Sequence, residues 1–305
     1  MAVGPVLSKM IVLVLLMLIG YFCSKLGVTG PEFNRRANPV VINVFLVGTI
    51  LNAVLSSQQR ASGAVLAQYL GVSVLLFAVS MGVGFLAMRL IPVSKERKGI
   101  LWCVTAFMNN AFVGFPVVEA VFGPEAVFFA SISNLPFNFL LYTVAILMLQ
   151  RGDGVKLELK KIVTAPLIAT IAAAVLSVTG AKLPAPITET ISVLGAATVP
   201  SSMIIIGTSL GGISAKAAFS DWRVYAASFF RLIVAPVLLW AVLRLMTSDP
   251  MLLGIPVLLM ACPSAMIITV LCLQYGKDDA FSSQVIFVST LLSALTIPAL
   301  SAVLL

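Results

Sequence analysis

The chain has 305 residues, 60% hydrophobic and only 10% charged, with a mean hydropathy of +1.12. Soluble domains carry roughly 25% charged residues, so this composition excludes a body wetted on all sides. The net charge of +8 sits in short joints between apolar runs, where it orients a membrane protein rather than marking a nucleic-acid surface, and the lack of any histidine excludes His-based triads and His-ligated metals.

At about 20 apolar residues per membrane helix, the apolar runs predict ten spans, at 5–25, 39–56, 64–89, 98–122, 125–149, 161–180, 188–211, 222–245, 250–275 and 280–304. The first has no basic leader or small-residue cleavage site and reads as a retained span rather than a signal peptide. The second carries Asn43 and Asn52. The fourth is broken by Asn109, Asn110, Gly114 and Pro116, and the turn at Gly123, Pro124 and Glu125 leaves almost no loop before the fifth. The fifth contains Asn134, Pro136 and Asn138, with the two amides four apart and so on one helix face. Ser201 and Ser202 follow Pro200 in the seventh span, and Arg231 lies inside the eighth. The ninth is broken at Cys262, Pro263 and Ser264, with Thr269 nearby.

The basic residues choose an orientation. Joints after the odd-numbered spans hold Lys25, Arg35, Arg36, Arg89, Lys95, Arg97, Lys98, Arg151, Lys156, Lys160, Lys161, Lys216, Arg223 and Lys277, against Arg60, Lys182 and Arg244 on the other face. By the positive-inside rule both termini face away from the cytoplasm. Short echoes recur roughly half a chain apart: Val28-Thr29-Gly30 with Val178-Thr179-Gly180, Gly48-Thr49 with Gly207-Thr208, and Phe122-Gly123 with Tyr275-Gly276. They divide the chain into repeats of about 1–150 and 151–305. Five spans is an odd number, so the second copy inserts upside down. The expected fold is therefore an all-α membrane protein of ten helices in two inverted five-helix repeats, one membrane domain over 1–305.

Counting thirteen residues back from the closing glycines, Gly123 and Gly276, lands on Asn110 and Pro263. Interrupted helices at matching places in two halves are the sequence pointer to a transporter's binding site, because unwound backbone offers polar groups at mid-membrane depth. Asn109 and Asn110 are the first candidates, since amides in hydrocarbon must face protein, water or substrate; helix–helix hydrogen bonding is the competing role. Pro116 removes a helix hydrogen bond, and Pro263 with Ser264 forms the counterpart break, unless Pro263 merely kinks its helix. If the broken helices cross, the N-terminal ends of their second halves bring partial positive charge to the centre and favour a carboxylate. Asn134 and Asn138 either line the pocket or bond neighbouring helices. Glu119 and Arg231, both inside spans, are the candidates for proton or charge coupling. A water-exposed helix end for Glu119 and a snorkelling side chain for Arg231 are the alternatives. Cys23, Cys103, Cys262 and Cys272 have no CxxC spacing and read as buried, inert thiols. No GxSxG, P-loop or paired membrane carboxylate supports an enzyme.

The order of Gly20-Tyr21-Phe22, Asn109-Asn110 with Gly114-Phe115-Pro116, Ala165-Pro166, Leu194 to Pro200, Ile206 to Leu210, Arg231 to Pro236, Cys262-Pro263 and Tyr275-Gly276 resembles the auxin efflux carrier family over nearly the whole length, in its short bacterial branch of malonate- or malate-type permeases. The resemblance implies a fold similar to bile-acid/sodium symporters, with scaffold helices 1, 2, 6 and 7, transport helices 3–5 and 8–10, and helices 4 and 9 crossing near Asn110 and Pro263. It implies a small organic anion as substrate, a homodimer through the scaffold and a bacterial inner (plasma) membrane location. The joint between the fifth and sixth spans is short, so control by a long phosphorylated loop is not carried over. No acid sits at the crossing itself, unlike antiporters with buried aspartates there. The expected partners are the anion and the lipid bilayer, without nucleic acid, and no cofactor beyond a coupling ion, H+ or Na+. A sodium-coupled symporter of the bile-acid type and a non-transporting membrane receptor are the rival readings.

Overall fold

A computed structural model describes residues 3–55, 62–150, 159–181, 183–212 and 219–304. Helices run over Val3–Lys25 (α1), Pro31–Leu55 (α2), Gly63–Leu90 (α3), Lys95–Ala106 (α4), Asn110–Phe122 (α5), Ala126–Leu149 (α6), Ala165–Thr179 (α7), Ala185–Gly212 (α8), Trp222–Met246 (α9), Pro250–Met260 (α10), Ile267–Gln274 (α11) and Asp279–Leu304 (α12). Among the described residues there is no strand, only one isolated β-bridge between Met108 and Ser264. Six helices, α2, α3, α6, α8, α9 and α12, are long and apolar enough to cross a membrane; α5, α7, α10 and the Ile11–Lys25 part of α1 are shorter apolar helices.

Local chemistry accounts for the ends and irregularities. Pro31, Pro166, Pro186 and Pro250 sit in first turns, where a missing N–H costs nothing. Wide π-type turns at Asn110–Gly114 and Phe230–Val234 lie just before Pro116 and Pro236. A proline ring presses on the carbonyl four residues back, and the widened turn makes room for it. The closing glycines take positive φ, 93° at Gly123 and 60° at Gly276, a region closed to most side chains. α2 starts at Pro31, eight residues before the expected 39. Its charges belong to a helical turn, with Glu32 pairing to Arg35 at 2.8 Å and to Arg36 at 2.7 Å.

The residues group into two compact units. The first comprises Met1–Val72, Ala111–Leu135 and Val163–Gly212. Its helices meet through glycines. A Cβ on Gly207 would collide with the Met17 carbonyl and come within 2.7 Å of the Tyr21 nitrogen, so α8 lies directly against the backbone of α1. A Cβ on Gly48 would stand 2.8 Å from the Gly195 nitrogen, placing α2 equally close to the first half of α8. Each glycine is followed by a threonine that bonds across the contact. Thr49 Oγ1 donates to the Gly195 carbonyl at 3.0 Å, and Thr208 Oγ1 lies 2.9 Å from Thr29 Oγ1. The repeated Gly-Thr pair thus marks two close helix crossings.

The second unit comprises Ser73–Asn110, Pro136–Ile162 and Ile213–Leu305. α9 packs on α10 and α12, and α4 on the end of α6, where a Cβ on Gly99 would run into the Met148 carbonyl. Trp102 is fully buried over Gly84 and donates from Nε1 to the Met81 carbonyl at 3.2 Å. Its ring meets Phe107 edge-on at 6.0 Å, and Phe107 meets Phe137 at 5.7 Å, so an aromatic string fixes the C-terminal end of α4. That end is where the two predicted breaks come together.

Candidate functional site

Within the second unit, the stretch after α4 and the stretch after α10 run antiparallel. The N–H of Asn109 donates to the Pro263 carbonyl at 2.8 Å, and the N–H of Ala265 donates to the Phe107 carbonyl at 2.9 Å, framing the Met108–Ser264 bridge. Helix C-termini leave carbonyls without intrahelical partners, and inside a membrane those carbonyls need donors from the protein. Here they can be followed one by one. Val104 accepts from Ser264 Oγ at 2.6 Å, Thr105 from Arg231 Nη1 at 3.0 Å, and Ala106 from Ser80 Oγ at 2.6 Å. On the other side, Leu259 accepts from the Cys262 N–H at 3.3 Å, Met260 from Arg231 Nη2, and Cys262 from Arg231 Nε at 3.1 Å. Arg231 Nη1 also donates to Ser80 Oγ at 3.0 Å, and the Ser264 N–H donates to Ser289 Oγ at 3.2 Å.

Arg231 is the hub. It is fully buried, 0% exposed, and four N–H···O contacts tie it to α3, to the end of α4 and to the end of α10. A snorkelling arginine would carry its head to an aqueous interface; this one does not. The π-type turn Phe230–Val234 on which it sits departs from regular helix at the residue that must reach both breaks.

Comparison with known proteins identifies the family. The model of a family described as "Membrane transport protein" matches residues 5–301. The chain belongs to the membrane transport protein family. An uncharacterized transporter of Methanocaldococcus jannaschii is 28% identical over 301 residues, 95% of this chain and 96% of the relative. Another, from Methanothermobacter thermautotrophicus, is 29% identical over 301 residues, 95% of each. The resemblance to auxin efflux carriers drawn from the sequence is a resemblance to this family. The chain is a membrane transport protein, not an enzyme, and a multi-pass membrane protein.

In this family member the predicted site residues fall as follows. Asn109 (5% exposed), in the link from α4 to α5, and Asn110 (2%), the first residue of α5, are buried, with Pro263 and Ser264 buried opposite them and Arg231 beside the same backbone. Asn138 is half-buried in the second unit. Pro116, buried, and Glu119 and Asn134, half-buried, belong to the first unit. Asn134 and Asn138 do not share a regular helix face: the helix turns at Asn134 and Leu135 because Pro136 can neither donate to it nor let its predecessor stay helical. Cys103, Cys262 and Cys272 are buried, as read from the sequence, whereas Cys23 is half-buried. Ser80, Thr105 and Ser289 were not marked by the sequence, since serines and threonines inside helices commonly bond their own backbone. A polar cavity of about 1080 Å³ lies at the other end of α4, in the same unit, with Lys95, Arg97, Lys98, Arg223 and Lys277 among its lining.

Proposed function

We propose that this membrane transport protein carries a small organic anion, a mono- or dicarboxylate such as malonate or malate, by alternating access between two inverted five-span repeats. The observation that carries this reading is the antiparallel crossing at Met108 and Ser264. There the carbonyls at the ends of α4 and α10 are taken by Arg231, Ser80 and Ser264, so protein donors satisfy the negative ends of both half-helices. The amides of Asn109 and Asn110, buried beside the crossing, and the N-terminal end of α11 are the groups we assign to the substrate, and they suit a carboxylate. Asn138, Pro263 and Ser264, in the same unit, complete the proposed binding set; in the first unit Pro116 and Asn134 remain candidates from the sequence, and Glu119 is the proton-coupling candidate. Bases outnumber acids in the cavity lining (Lys95, Arg97, Lys98, Arg223 and Lys277 against Glu96 and Asp278), which supports an anion too, because a positive cleft raises its local concentration.

On the resemblance, spans 1, 2, 6 and 7 of the ten expected from the sequence form a scaffold that pairs two copies, and spans 3–5 and 8–10 move. The location is a bacterial inner (plasma) membrane with both termini outside the cytoplasm. The test is uptake of radiolabelled malonate and malate into proteoliposomes, with pH and sodium gradients imposed separately. Saturable uptake of either acid is the expected result. Uptake of neither under any gradient, by protein shown to be folded and inserted, overturns the dicarboxylate reading.

A further inference from the structure

The oxygens around Arg231 have the composition of a cation site. Three are backbone carbonyls, of Thr105, Met260 and Cys262, and the fourth is the Ser80 hydroxyl. Neutral, hard oxygens contributed by unwound backbone are what alkali-metal sites in membrane proteins are made of. Among the described residues no group of three or more His, Cys, Asp or Glu could hold a metal ion, and the oxygens gathered here are carbonyls and a hydroxyl instead.

The electrostatics demand a positive charge at this place. Each helix C-terminus carries the equivalent of roughly −0.5 of an elementary charge. α4 and α10 both end here, and together they offset about one positive charge in a region without acidic side chains at the crossing. An arginine with 0% exposure supplies that charge and cannot trade it with solution. Its planar fork lets a single group reach oxygens on three separate segments, which a lysine would do with one point charge.

We propose that Arg231 is a tethered cation in a sodium-type site: its guanidinium permanently fills the oxygen cage of Ser80, Thr105, Met260 and Cys262, so the chain transports its substrate without Na+. The cage stands on its own geometry, and the transport it serves rests on the function proposed above. A carrier coupled to sodium gains and loses this charge in every cycle; here the charge is part of the chain and the crossing stays braced whether or not an ion gradient exists. Removing the guanidinium opens the cage to a free cation.

The experiment compares wild type, Arg231→Ala and Arg231→Lys as purified protein in nanodiscs. Thermal unfolding is followed while NaCl replaces choline chloride at constant ionic strength, with ²²Na+ binding measured in parallel. Wild type is expected to show no saturable response to Na+. Arg231→Ala is expected to unfold at lower temperature, to recover part of the loss as Na+ or low methylguanidinium is added, and to bind ²²Na+ saturably. Arg231→Lys is expected to remain indifferent to Na+, its ammonium keeping the cage filled. Saturable ²²Na+ binding by wild type overturns the proposal. So does a folded Arg231→Ala protein that responds to neither cation, which makes Arg231 a packing brace only. If Arg231→Ala does not fold in any cation, wild type and Arg231→Lys decide: Na+ binding by either one overturns the proposal, and indifference of both supports it. None of these readouts needs a transported substrate, so failure of the malonate and malate assay leaves them intact.

Discussion

The N–H of Asn109 donates to the carbonyl of Pro263 across 2.8 Å, joining the break in one half of the chain to the break in the other. Asn109 is thus held in place by its backbone, with its neighbour Asn110 buried beside it.

Substituting Asn110 by Ala should abolish or strongly reduce anion uptake while thermal unfolding in nanodiscs changes little, because the group sits at the crossing and its backbone geometry is set by neighbours. Asn138→Ala should reduce uptake less, since Asn138 is half-buried and lies beyond the turn at Pro136. Uptake kinetics with both acids decide the order; equal effects would remove the special place given to Asn110.

Ser80 accepts from Arg231 and donates to the Ala106 carbonyl. Ser80→Ala strands one N–H and one carbonyl in a buried site, a loss of about 1–3 kcal/mol per unsatisfied group. Lower thermal stability should follow, with Ser80→Thr closer to wild type. A Ser80→Ala protein as stable as wild type would show that the crossing repacks around Arg231 without the hydroxyl.

Gly207 and Gly212 share a helix but differ in surroundings. A Cβ at 207 meets the α1 backbone, whereas nothing lies within 4 Å of a Cβ at 212. Gly207→Ala should therefore cost about 1–3 kcal/mol or more through overpacking, and Gly212→Ala should leave the unfolding temperature unchanged. Parallel melts of the two variants test the closeness of α1 and α8 directly.

Asp278 pairs with Arg97 at 2.7 Å and caps α12 by accepting from the Phe281 N–H at 2.9 Å. The pair is part-exposed and screened by salt, but the cap is not. Asp278→Ala should lose about 1 kcal/mol, mostly still lost in high salt, while Asp278→Asn keeps the cap and loses little. A difference that disappears in high salt would assign the stability to the ion pair.

Much of this was legible in the sequence because a membrane makes anomalies loud. Asn109, Asn110 and Pro263 stand out in apolar runs, and charge at the joints outlines the helices between them. What stayed hidden was of two kinds. The partners of Arg231 come from α3, α4 and α10, and no local pattern says which distant serine or carbonyl a buried guanidinium will meet. The Asn134–Asn138 face failed for the opposite reason: a valid spacing rule was applied across Pro136, where the helix it assumes is interrupted. Likewise the charged start of α2 looks like a joint, although Arg35 and Arg36 both pair with Glu32 within a helical turn.

The carbonyls at the end of α4 have consequences for how the protein is made. Thr105 is translated long before Arg231, and Val104 long before the hydroxyl of Ser264 that it accepts from. Until the ribosome has passed both, the first half of the chain holds bare peptide oxygens at a depth where lipid offers no donors. Those oxygens of the nascent chain therefore stay without these donors until the segments that carry Arg231 and Ser264 arrive.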